Sequence, residues 1–552
     1  MNQSLKRLPL AVLAALVLAL LLAACGGSSA TILPGGEDAR PVNGGTLQAA
    51  MVSSPDHLDP ALAYTTESWE ILAATNDGLV TFRHSAGAAG SEVIPDIAQA
   101  LPTVTDDGRT YTFHLRTDVH FSPPLNRVVE PTDFKYSIER LFKVQSPGIG
   151  FYTEIVGGSR YQNHPQGNLA GIVADNATHT VVIHLTVKDG TFLDYLAMPF
   201  ADVVPAGTPE RDISTDSSWR IATGPYMVSA YTPNQSVTIT RNPNFRQWSP
   251  GIPNGHLHAI DVTVGVSADT AVNEIADGEL DFYFEAIATD RLAALEKQYP
   301  AQVRVYPRNS IDYFTLNLRK APMNNFKVRQ ALNYAVDRMA FVKLFGGQGV
   351  TTQSLIPMGI GGYKPLNFYP HNMALARRLV DESGTKGMSV QVWCSDTDPQ
   401  PMAAQYLASV LDALGYHATV KTMSASIYFD TVANEATDPQ VSFNEWDEDF
   451  PEAEDFIDAP FNGETISKIG NNDNANLNVP ALNAQMDAAS KLPLGPRRNA
   501  AWAQLDAELM RTQAPEIPFM DLTMPKFYSP HLHGIVFNPT FYEVFSSMWL
   551  SR

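Results

Sequence analysis

The sequence predicts an α/β protein built from more than one domain, and three observations support this fold class. The chain has 552 residues, 44% of them hydrophobic, which is more than one ordinary hydrophobic core needs. Strand-like alternation dominates the first half of the chain. After about residue 312, helix-spaced apolar residues alternate with short strand patterns, as expected of βαβ units.

The first half reads mostly as strands. Residues 111–116 alternate apolar and polar side chains directly after the turn-forming pair Asp107-Gly108, and residues 181–185 alternate in the same way. Between these strands, the stretch from Thr132 to Phe142 has a helical pattern, and Thr132 is its predicted N-cap. These elements predict a strand-rich first part.

A helical period sets in after residue 312. The spacing of the apolar residues from Leu407 to Leu414 predicts a helix, and Gly415 follows at the position where a helix is expected to end. Strand patterns at 390–392 and 418–420 flank this helix, and a last helix is predicted near 497–511. This alternation predicts an α/β lobe. One further helix face is predicted to contain Val328, Ala331, Leu332, Ala335, Val336 and Met339.

The N-terminus carries a targeting signal. Two basic residues precede an apolar run from Leu8 to Ala24, which is short for a membrane span and suits the core of a signal peptide. The run ends in Leu-Ala-Ala-Cys, which resembles a bacterial lipobox with Cys25 as the acylated residue. The alternative is an ordinary cleavage site beside an incidental cysteine. Residues 1–24 are thus predicted to be a lipoprotein signal peptide, and the Gly-rich residues 25–44 a flexible tether.

Composition and motifs exclude several classes of function. The net charge of −20 argues against a nucleic-acid partner, because phosphate binding needs a basic surface. The sequence contains no Gly-x-Ser-x-Gly, His-Glu-x-x-His or phosphate-loop motif, so no catalytic residue is predicted. Two His-x-His pairs, at 256–258 and 531–533, lack a third ligand nearby, so no metal or cofactor is predicted. With Cys25 acylated, Cys394 has no disulfide partner and is predicted to lie in the core.

Several short motifs follow one another along the chain in a characteristic order. Together they resemble the family 5 solute-binding proteins of ABC importers, the oligopeptide- and dipeptide-binding type, over residues 44–534. No single motif would suffice, so the resemblance depends on their occurring together and in order. The motifs are Gly44-Gly45-Thr46-Leu47, Leu58-Asp59-Pro60, Asn76-Asp77-Gly78-Leu79-Val80, residues 106–116 with 119–121, Thr223-Gly224-Pro225-Tyr226, Arg241-Asn242-Pro243, Gly278-Glu279-Leu280-Asp281 and residues 328–338.

This resemblance implies a two-lobed periplasmic-binding-protein fold of class II type, with an extra domain in the first lobe and two hinge strands. Residues 45–312 are then expected to form lobe I, residues 313–519 lobe II, and residues 520–552 a return to lobe I. The ligand is expected in the cleft between the lobes, and hinge closure would bury it there.

One acidic stretch, from Glu445 to Ile457, resembles the family segment Gly-Trp-x-Ala-Asp-Tyr-x-Asp-Pro-x-x-Phe-Leu. The match places Trp446 at the motif tryptophan and Asp449 at the motif aspartate. In peptide binders of the family, that aspartate pairs with the α-ammonium of the ligand. Trp446 is expected to offer flat apolar area or a cation–π face. Tyr64, four residues after the Leu-Asp-Pro turn, sits where the first lobe of the family lines the cleft, so it is a third candidate contact.

The same stretch departs from the family pattern. Glutamates replace the motif glycine and alanine, which crowds four carboxylates into five residues. A solvated acidic loop is the alternative interpretation, and it is the one expected for Asp447 and Glu448. Residues 427–446 contain no Arg or Lys, so the arginines that capture a ligand carboxylate in some oligopeptide binders are missing here.

The resulting hypothesis is a non-catalytic, extracytoplasmic solute-binding lipoprotein, held at the cell membrane by its lipid anchor. As a monomer, it captures peptides by their free α-amine and delivers them to the permease and ATPase subunits of an ABC importer. Three alternatives stay open. The same fold could serve an oligosaccharide, a nickel complex or another solute. The chain could also be an extracellular hydrolase using paired carboxylates such as Asp447 and Asp449, or a surface receptor or adhesin without transport.

Overall fold

The computed structural model describes residues 40–437, 439–468 and 470–551. The predicted signal peptide, most of the predicted tether and Cys25 lie outside the described residues. Within the described part of the chain, no helix combines the length and apolar character needed to cross a membrane.

The helices and strands of the described residues are numbered in chain order. The α-helices are α1 (Thr66–Thr75), α2 (Pro131–Lys143), α3 (Gly158–Asn163), α4 (Phe192–Ala197), α5 (Ala268–Asp277), α6 (Thr289–Gln298), α7 (Phe326–Ala335), α8 (Arg338–Leu344), α9 (Met373–Ser383), α10 (Gln400–Leu414), α11 (Ala425–Val432), α12 (Ala453–Phe461), α13 (Pro480–Ser490) and α14 (Pro496–Thr512). The strands are β1 (Thr46–Met51), β2 (Val80–Phe82), β3 (Val93–Pro95), β4 (Thr103–Thr105), β5 (Thr110–His114), β6 (Ile172–Asp175), β7 (Thr180–His184), β8 (Tyr226–Thr232), β9 (Ser236–Arg241), β10 (Ala259–Val264), β11 (Phe282–Tyr283), β12 (Val303–Leu316), β13 (Gly349–Thr351), β14 (Ser389–Ser395), β15 (His417–Met423), β16 (Val441–Asp447), β17 (Glu516–Phe527), β18 (Leu532–His533), β19 (Phe537–Asn538), β20 (Tyr542–Glu543) and β21 (Trp549–Leu550).

Lobe I contains a five-stranded sheet in the order β11-β1-β10-β9-β8. Strand β1 lies parallel to both of its neighbours, whereas β8, β9 and β10 run antiparallel to one another. The core of this sheet also contains residues from near the C-terminus, among them Leu532, Phe545 and Leu550. The last part of the chain therefore packs against the sheet that contains β1.

A second sheet, in the order β4-β5-β7-β6, is antiparallel throughout. It contains the two strands predicted from alternation in the first half of the chain, and helices α2 and α4 contribute to its core. The predicted N-cap Thr132 is wrong: α2 begins at Pro131 and Glu130 is its N-cap. The Asp133 carboxylate accepts the backbone N–H of Glu130 at 2.8 Å, which fixes the start of the helix.

Lobe II contains a six-stranded sheet in the order β13-β17-β12-β16-β14-β15. Strands β14 and β15 are parallel and connected by α10, which confirms the predicted βαβ unit. Gly415 ends α10 with a left-handed φ of 97°, as expected of a helix stop. Cys394 lies in β14 and is fully buried in the core of this lobe, which confirms its predicted role.

The prediction of one helix that extends to Met339 is wrong, because the structure has two shorter helices there. Helix α7 ends at Ala335, Val336 has an extended backbone, and a separate helix α8 begins at Arg338. Asp337 caps α8 because its carboxylate accepts the backbone N–H of Met339 at 3.0 Å. The break leaves the Met339 side chain exposed.

Two long antiparallel strands, β12 and β17, connect the lobes. Residues 303–307 of β12 pair with the last part of β17, and residues 311–315 pair with its first part inside the lobe II sheet. The pairing is interrupted between Pro307 and Ile311. The predicted lobe boundaries, at 312/313 and 519/520, fall inside these two strands. That both strands act as hinges stays a prediction.

Candidate functional site

Two of the three predicted contact residues lie where β16 ends and α12 begins. Asp449 follows the end of the strand, and its backbone N–H donates a hydrogen bond to Oδ2 of Asp455, at 2.8 Å. The indole N–H of Trp446 donates to the same oxygen, at 3.3 Å. Asp455 is buried in the first turn of α12, where a carboxylate is favoured by the helix dipole. Asp455 therefore fixes the position of both predicted residues.

The third predicted residue reaches the same place from lobe I. The hydroxyl of Tyr64 donates a hydrogen bond to Oδ1 of Asp449. Tyr64 lies just before α1, and its own backbone N–H donates to Asp56 Oδ2 at 2.9 Å. The same Asp56 carboxylate accepts the Ser68 hydroxyl, at 2.5 Å, which ties the Tyr64 loop to α1. The fold thus brings Tyr64, Trp446 and Asp449 together at the boundary between the lobes.

Carboxylates dominate the electrostatics of this boundary. Burial raises the pKa of Asp449, the Tyr64 hydrogen bond lowers it, and the nearby charge of Asp447 raises it. Burial also raises the pKa of Asp455 well above its usual range, and the charge of Asp449 adds to that shift. The guanidinium of Arg308 is bound to Asp447 at 2.9 Å. The site therefore favours a positively charged group beside Asp449.

Glu448 does not belong to a solvated loop, contrary to the expectation from the sequence. Its Oε2 accepts a hydrogen bond from the side-chain amide of Asn309, at 2.7 Å, and its side chain is partly buried. Burial raises the pKa of Glu448 to about 8. Asp447 fits the expectation better, because it is more than half exposed even though it pairs with Arg308.

Aromatic rings border the Tyr64–Asp449 contact on the lobe I side. The Tyr64 ring lies 5.8 Å from Phe200 and 6.2 Å from Trp69, measured between ring centroids. From lobe II, Phe450 packs edge-on against Tyr195 at 5.2 Å and joins the lobe I core. Trp69, Phe200 and Phe450 are buried, whereas Tyr64 is 47% exposed, so the Tyr64 ring offers apolar surface next to the Asp449 carboxylate.

A second contact between the lobes lies near the N-terminus of α4. The backbone N–H of Gly190 donates to the carbonyl oxygen of Ser490 at 3.0 Å, and a Cβ at position 190 would lie 2.2 Å from the Leu492 carbonyl oxygen. Position 190 therefore requires glycine. The neighbouring Thr191 hydroxyl donates to Oε2 of Glu454 at 2.5 Å. Sequence reasoning missed this contact, because no motif marks it.

Neither His-x-His pair forms part of a larger ligand set. Among the described residues, no group of three or more His, Cys, Asp or Glu side chains could hold a metal ion. The His256 ring pairs with the side chain of Asn43 at 2.9 Å, and the His533 ring stacks on Trp549 with centroids 4.3 Å apart.

The sequence of motifs, the two lobes and the position of the site agree with a family match. Residues 92–468 match the family described as "Bacterial extracellular solute-binding proteins, family 5 Middle". The chain belongs to this family. The predicted resemblance is therefore confirmed, and so is the two-lobed fold that it implied.

Individual relatives of this family 5 protein have low sequence identity to it but align over most of its length. Heme-binding protein A of Haemophilus influenzae is 25% identical over an alignment that covers 95% of this chain and 96% of that protein. The dipeptide-binding protein of Escherichia coli is 27% identical, with 67% of this chain and 69% of that protein covered. These relatives are named as binding proteins, and the molecules in their names differ.

Solved structures show the same fold. Clavulanic acid biosynthesis oligopeptide binding protein 2 superposes with a TM-score of 0.84 at 21% identity, covering 93% of this chain and 96% of that one. HbpA2 from Haemophilus parasuis superposes with a TM-score of 0.77 at 22% identity, covering 92% of this chain and 100% of that one. At such identities the likeness establishes the fold alone.

Proposed function

We propose that this family 5 protein captures peptides between its two lobes by binding their free α-ammonium at Asp449, and delivers them to the permease of an ABC importer. The observation that carries the proposal is the contact between Tyr64 of lobe I and Asp449 of lobe II. The Asp449 carboxylate lies where both lobes meet, and the resemblance of its segment to the family motif supports amine binding there.

The chemistry of the site supports a cationic ligand group. A carboxylate removed from water attracts an ammonium group more strongly than one in bulk solvent, provided that its other hydrogen bonds are satisfied. Asp449 meets this condition, because Tyr64 donates to its side chain and its backbone N–H is bound to Asp455. The half-exposed ring of Tyr64 would offer apolar contact to the first side chain of a peptide.

The names of the relatives support the class of function more than the identity of the solute. One relative is named as a dipeptide-binding protein, and another as a heme-binding protein. A structure of related fold is titled as a complex with the peptide STSA. The choice of peptide therefore rests on Asp449, and a non-peptide solute is the alternative that the experiment below distinguishes.

Three further parts of the proposal concern the cellular setting. Cys25 is the proposed lipid-anchored residue, which would hold the protein on the outer side of the cell membrane. The energy for uptake would come from the ATPase of the importer, in keeping with a chain that lacks a phosphate-loop motif. The protein is proposed to be a monomer that binds its solute without changing it.

Two measurements test the proposed function. Mass spectrometry of solute that purifies with the protein should detect peptides with free amino termini. Calorimetry should show one-to-one binding of trialanine and much weaker binding of N-acetyl-trialanine, with both peptides recovered intact. Equal affinity for the two peptides would contradict amine capture, and a non-peptide solute in the mass spectrum would contradict the peptide assignment.

A further inference from the structure

Asp194 is a buried carboxyl group at the boundary between the lobes. Asp194 lies in α4 and is 1% exposed to solvent. Neither of its carboxylate oxygens has a hydrogen-bond partner among the described residues. Burying an ionised carboxylate without a partner costs several kcal/mol, so a group in this position tends to be neutral.

The charged groups that face Asp194 come from both lobes. Glu452 and Glu454 approach from lobe II, at the N-terminus of α12, and Asp189 from lobe I, just before α4. The one cation in this group is Arg498 of α14. Asp194 therefore faces three other carboxylates and a single guanidinium when the lobes are in contact.

Arg498 is already committed to other partners. It forms ion pairs with Glu452, at 3.3 Å, and with Glu454. Its remaining N–H groups donate to the Thr191 hydroxyl and to carbonyl oxygens near the C-terminus of α13, including that of Ser490 at 2.6 Å. The guanidinium is therefore shared among these partners and leaves Asp194 without a hydrogen bond. Burial raises the pKa of Glu452 to about 7 even beside Arg498.

We propose that closure of the two lobes takes up a proton at Asp194, so that the protein binds its solute more tightly in a mildly acidic medium. This inference rests on the proposed function, because it assumes that solute binding closes the lobes. With the lobes apart, Asp194 would lose Glu452, Glu454 and Arg498, all of lobe II, as neighbours and would regain water. Its carboxyl would then ionise near its ordinary pKa.

The directions of the pKa shifts agree with this geometry. Burial raises the pKa of Asp194 well above its usual range, and the charge of Glu452 adds to the shift, while Arg498 opposes it. A pKa that is higher in the closed form means that closing binds a proton. Closure is then favoured below the closed-state pKa and is weakened as the pH rises through it. Below about pH 4 both forms carry the proton, and the dependence ends.

Asp458 provides a matched control. Burial raises its pKa to about 7, and the groups that face it, Asn462, Glu454, Asp487 and Arg498, all belong to lobe II. Lobe closure should therefore leave the protonation of Asp458 unchanged. A neutral substitution at Asp458 removes a carboxyl from the same region without removing the proposed coupling.

Calorimetry of trialanine binding at about pH 6.5, in two buffers with different ionisation enthalpies, counts the protons taken up. For wild type and Asp458→Asn we expect net proton uptake on binding, and a Kd that falls as the pH is lowered. Asp194→Asn, and Asp194→Ser as a second neutral variant, should take up fewer protons than the wild type. Equal uptake by wild type and either folded Asp194 variant would overturn the inference.

A ligand-free measurement separates this inference from the proposed function. If trialanine does not bind, the peptide assignment fails, and the radius of gyration from small-angle scattering decides the inference. The wild type should become more compact between pH 8 and pH 5, whereas Asp194→Asn should be compact at both. A radius that responds to pH equally in both proteins, or in neither, overturns the coupling.

Discussion

The hydroxyl of Tyr64 donates a hydrogen bond to the carboxylate of Asp449, which lies 385 residues further along the chain and in the other lobe. Neither lobe alone contains both residues, because Tyr64 precedes α1 and Asp449 follows β16. The proposed site is therefore assembled only when the lobes are in contact. This relationship makes Asp449 and Tyr64 the two residues whose substitution tests the proposed function most directly.

Asp449→Asn is expected to weaken trialanine binding by about 2–5 kcal/mol. The substitution keeps the shape of the side chain and removes the charge proposed to pair with the peptide amine, which would leave the ammonium buried without a partner. Isothermal calorimetry gives the affinities of the wild type and the variant.

The matched control for this prediction is Asp447→Asn. Asp447 pairs with Arg308 and is largely exposed, so its loss should cost well under about 1 kcal/mol of binding. N-acetyl-trialanine adds the second half of a double-mutant cycle. Acetylation should weaken binding to the wild type and hardly affect Asp449→Asn, and additive losses would show that Asp449 does not touch the amine.

Tyr64→Phe is expected to weaken trialanine binding by on the order of 1–2 kcal/mol. The variant keeps the ring against Phe200 and removes only the hydroxyl that donates to the ionised carboxylate. Tyr299→Phe removes a hydroxyl elsewhere in lobe I, where it is bound to Gln298, and serves as the control. If both variants bind trialanine like the wild type, the Tyr64 hydroxyl has no role in holding the peptide.

Much of the fold could be predicted because local patterns determine it. The period of apolar residues predicted the β14–α10–β15 unit, and the ordered motifs predicted the family. The ligand-binding roles of Tyr64, Trp446 and Asp449 stay predictions. Asp455 could have been suspected as an acidic residue at the start of a helix. The contact of Thr191 with Arg498 could not, because the two residues lie 307 positions apart and only the tertiary fold brings them together.

Asp59→Asn is expected to destabilise the fold by about 3–5 kcal/mol. Asp59, in the Leu-Asp-Pro motif, forms a bidentate ion pair with Arg140 of α2, with distances of 2.8 and 2.6 Å, and both side chains are fully buried. Removing the charge leaves the Arg140 guanidinium buried without its partner. Urea unfolding measures the change. Glu382→Gln, which breaks an exposed pair with Lys327, should cost less than about 1 kcal/mol, and equal losses would contradict the argument.

Cys25→Ala is expected to move the protein from the membrane fraction to the soluble fraction of the cell. The lipobox-like sequence ending at Cys25 predicts acylation there, and an anchor of several acyl chains is needed for stable attachment. Immunoblots of fractionated cells follow the protein, and Cys394→Ala is the matched control, because that cysteine is buried in the core of lobe II. A Cys25→Ala protein that stays with the membrane would show that the anchor lies elsewhere.

The free energy of unfolding is expected to fall as the pH rises from about 5 to about 8. Asp521 of β17 is fully buried, and burial followed by the charge of Asp506 raises its pKa well above the usual range. Burial likewise raises the pKa of Asp506 to about 7. The folded protein then holds protons that the unfolded chain releases above about pH 4, so deprotonation at higher pH destabilises the fold.

Urea unfolding of the wild type and Asp521→Asn at about pH 5, 6.5 and 8 checks this expectation. Asparagine resembles the neutral carboxyl group, so the variant should lose less stability than the wild type between pH 5 and pH 8, by roughly 1–2 kcal/mol. Asp277→Asn, at an exposed position at the end of α5, should keep the wild-type dependence on pH. Asp521 pairs with Ile311 where β17 meets β12. Parallel curves of stability against pH for all three proteins would mean that this buried carboxyl is ionised in the folded state.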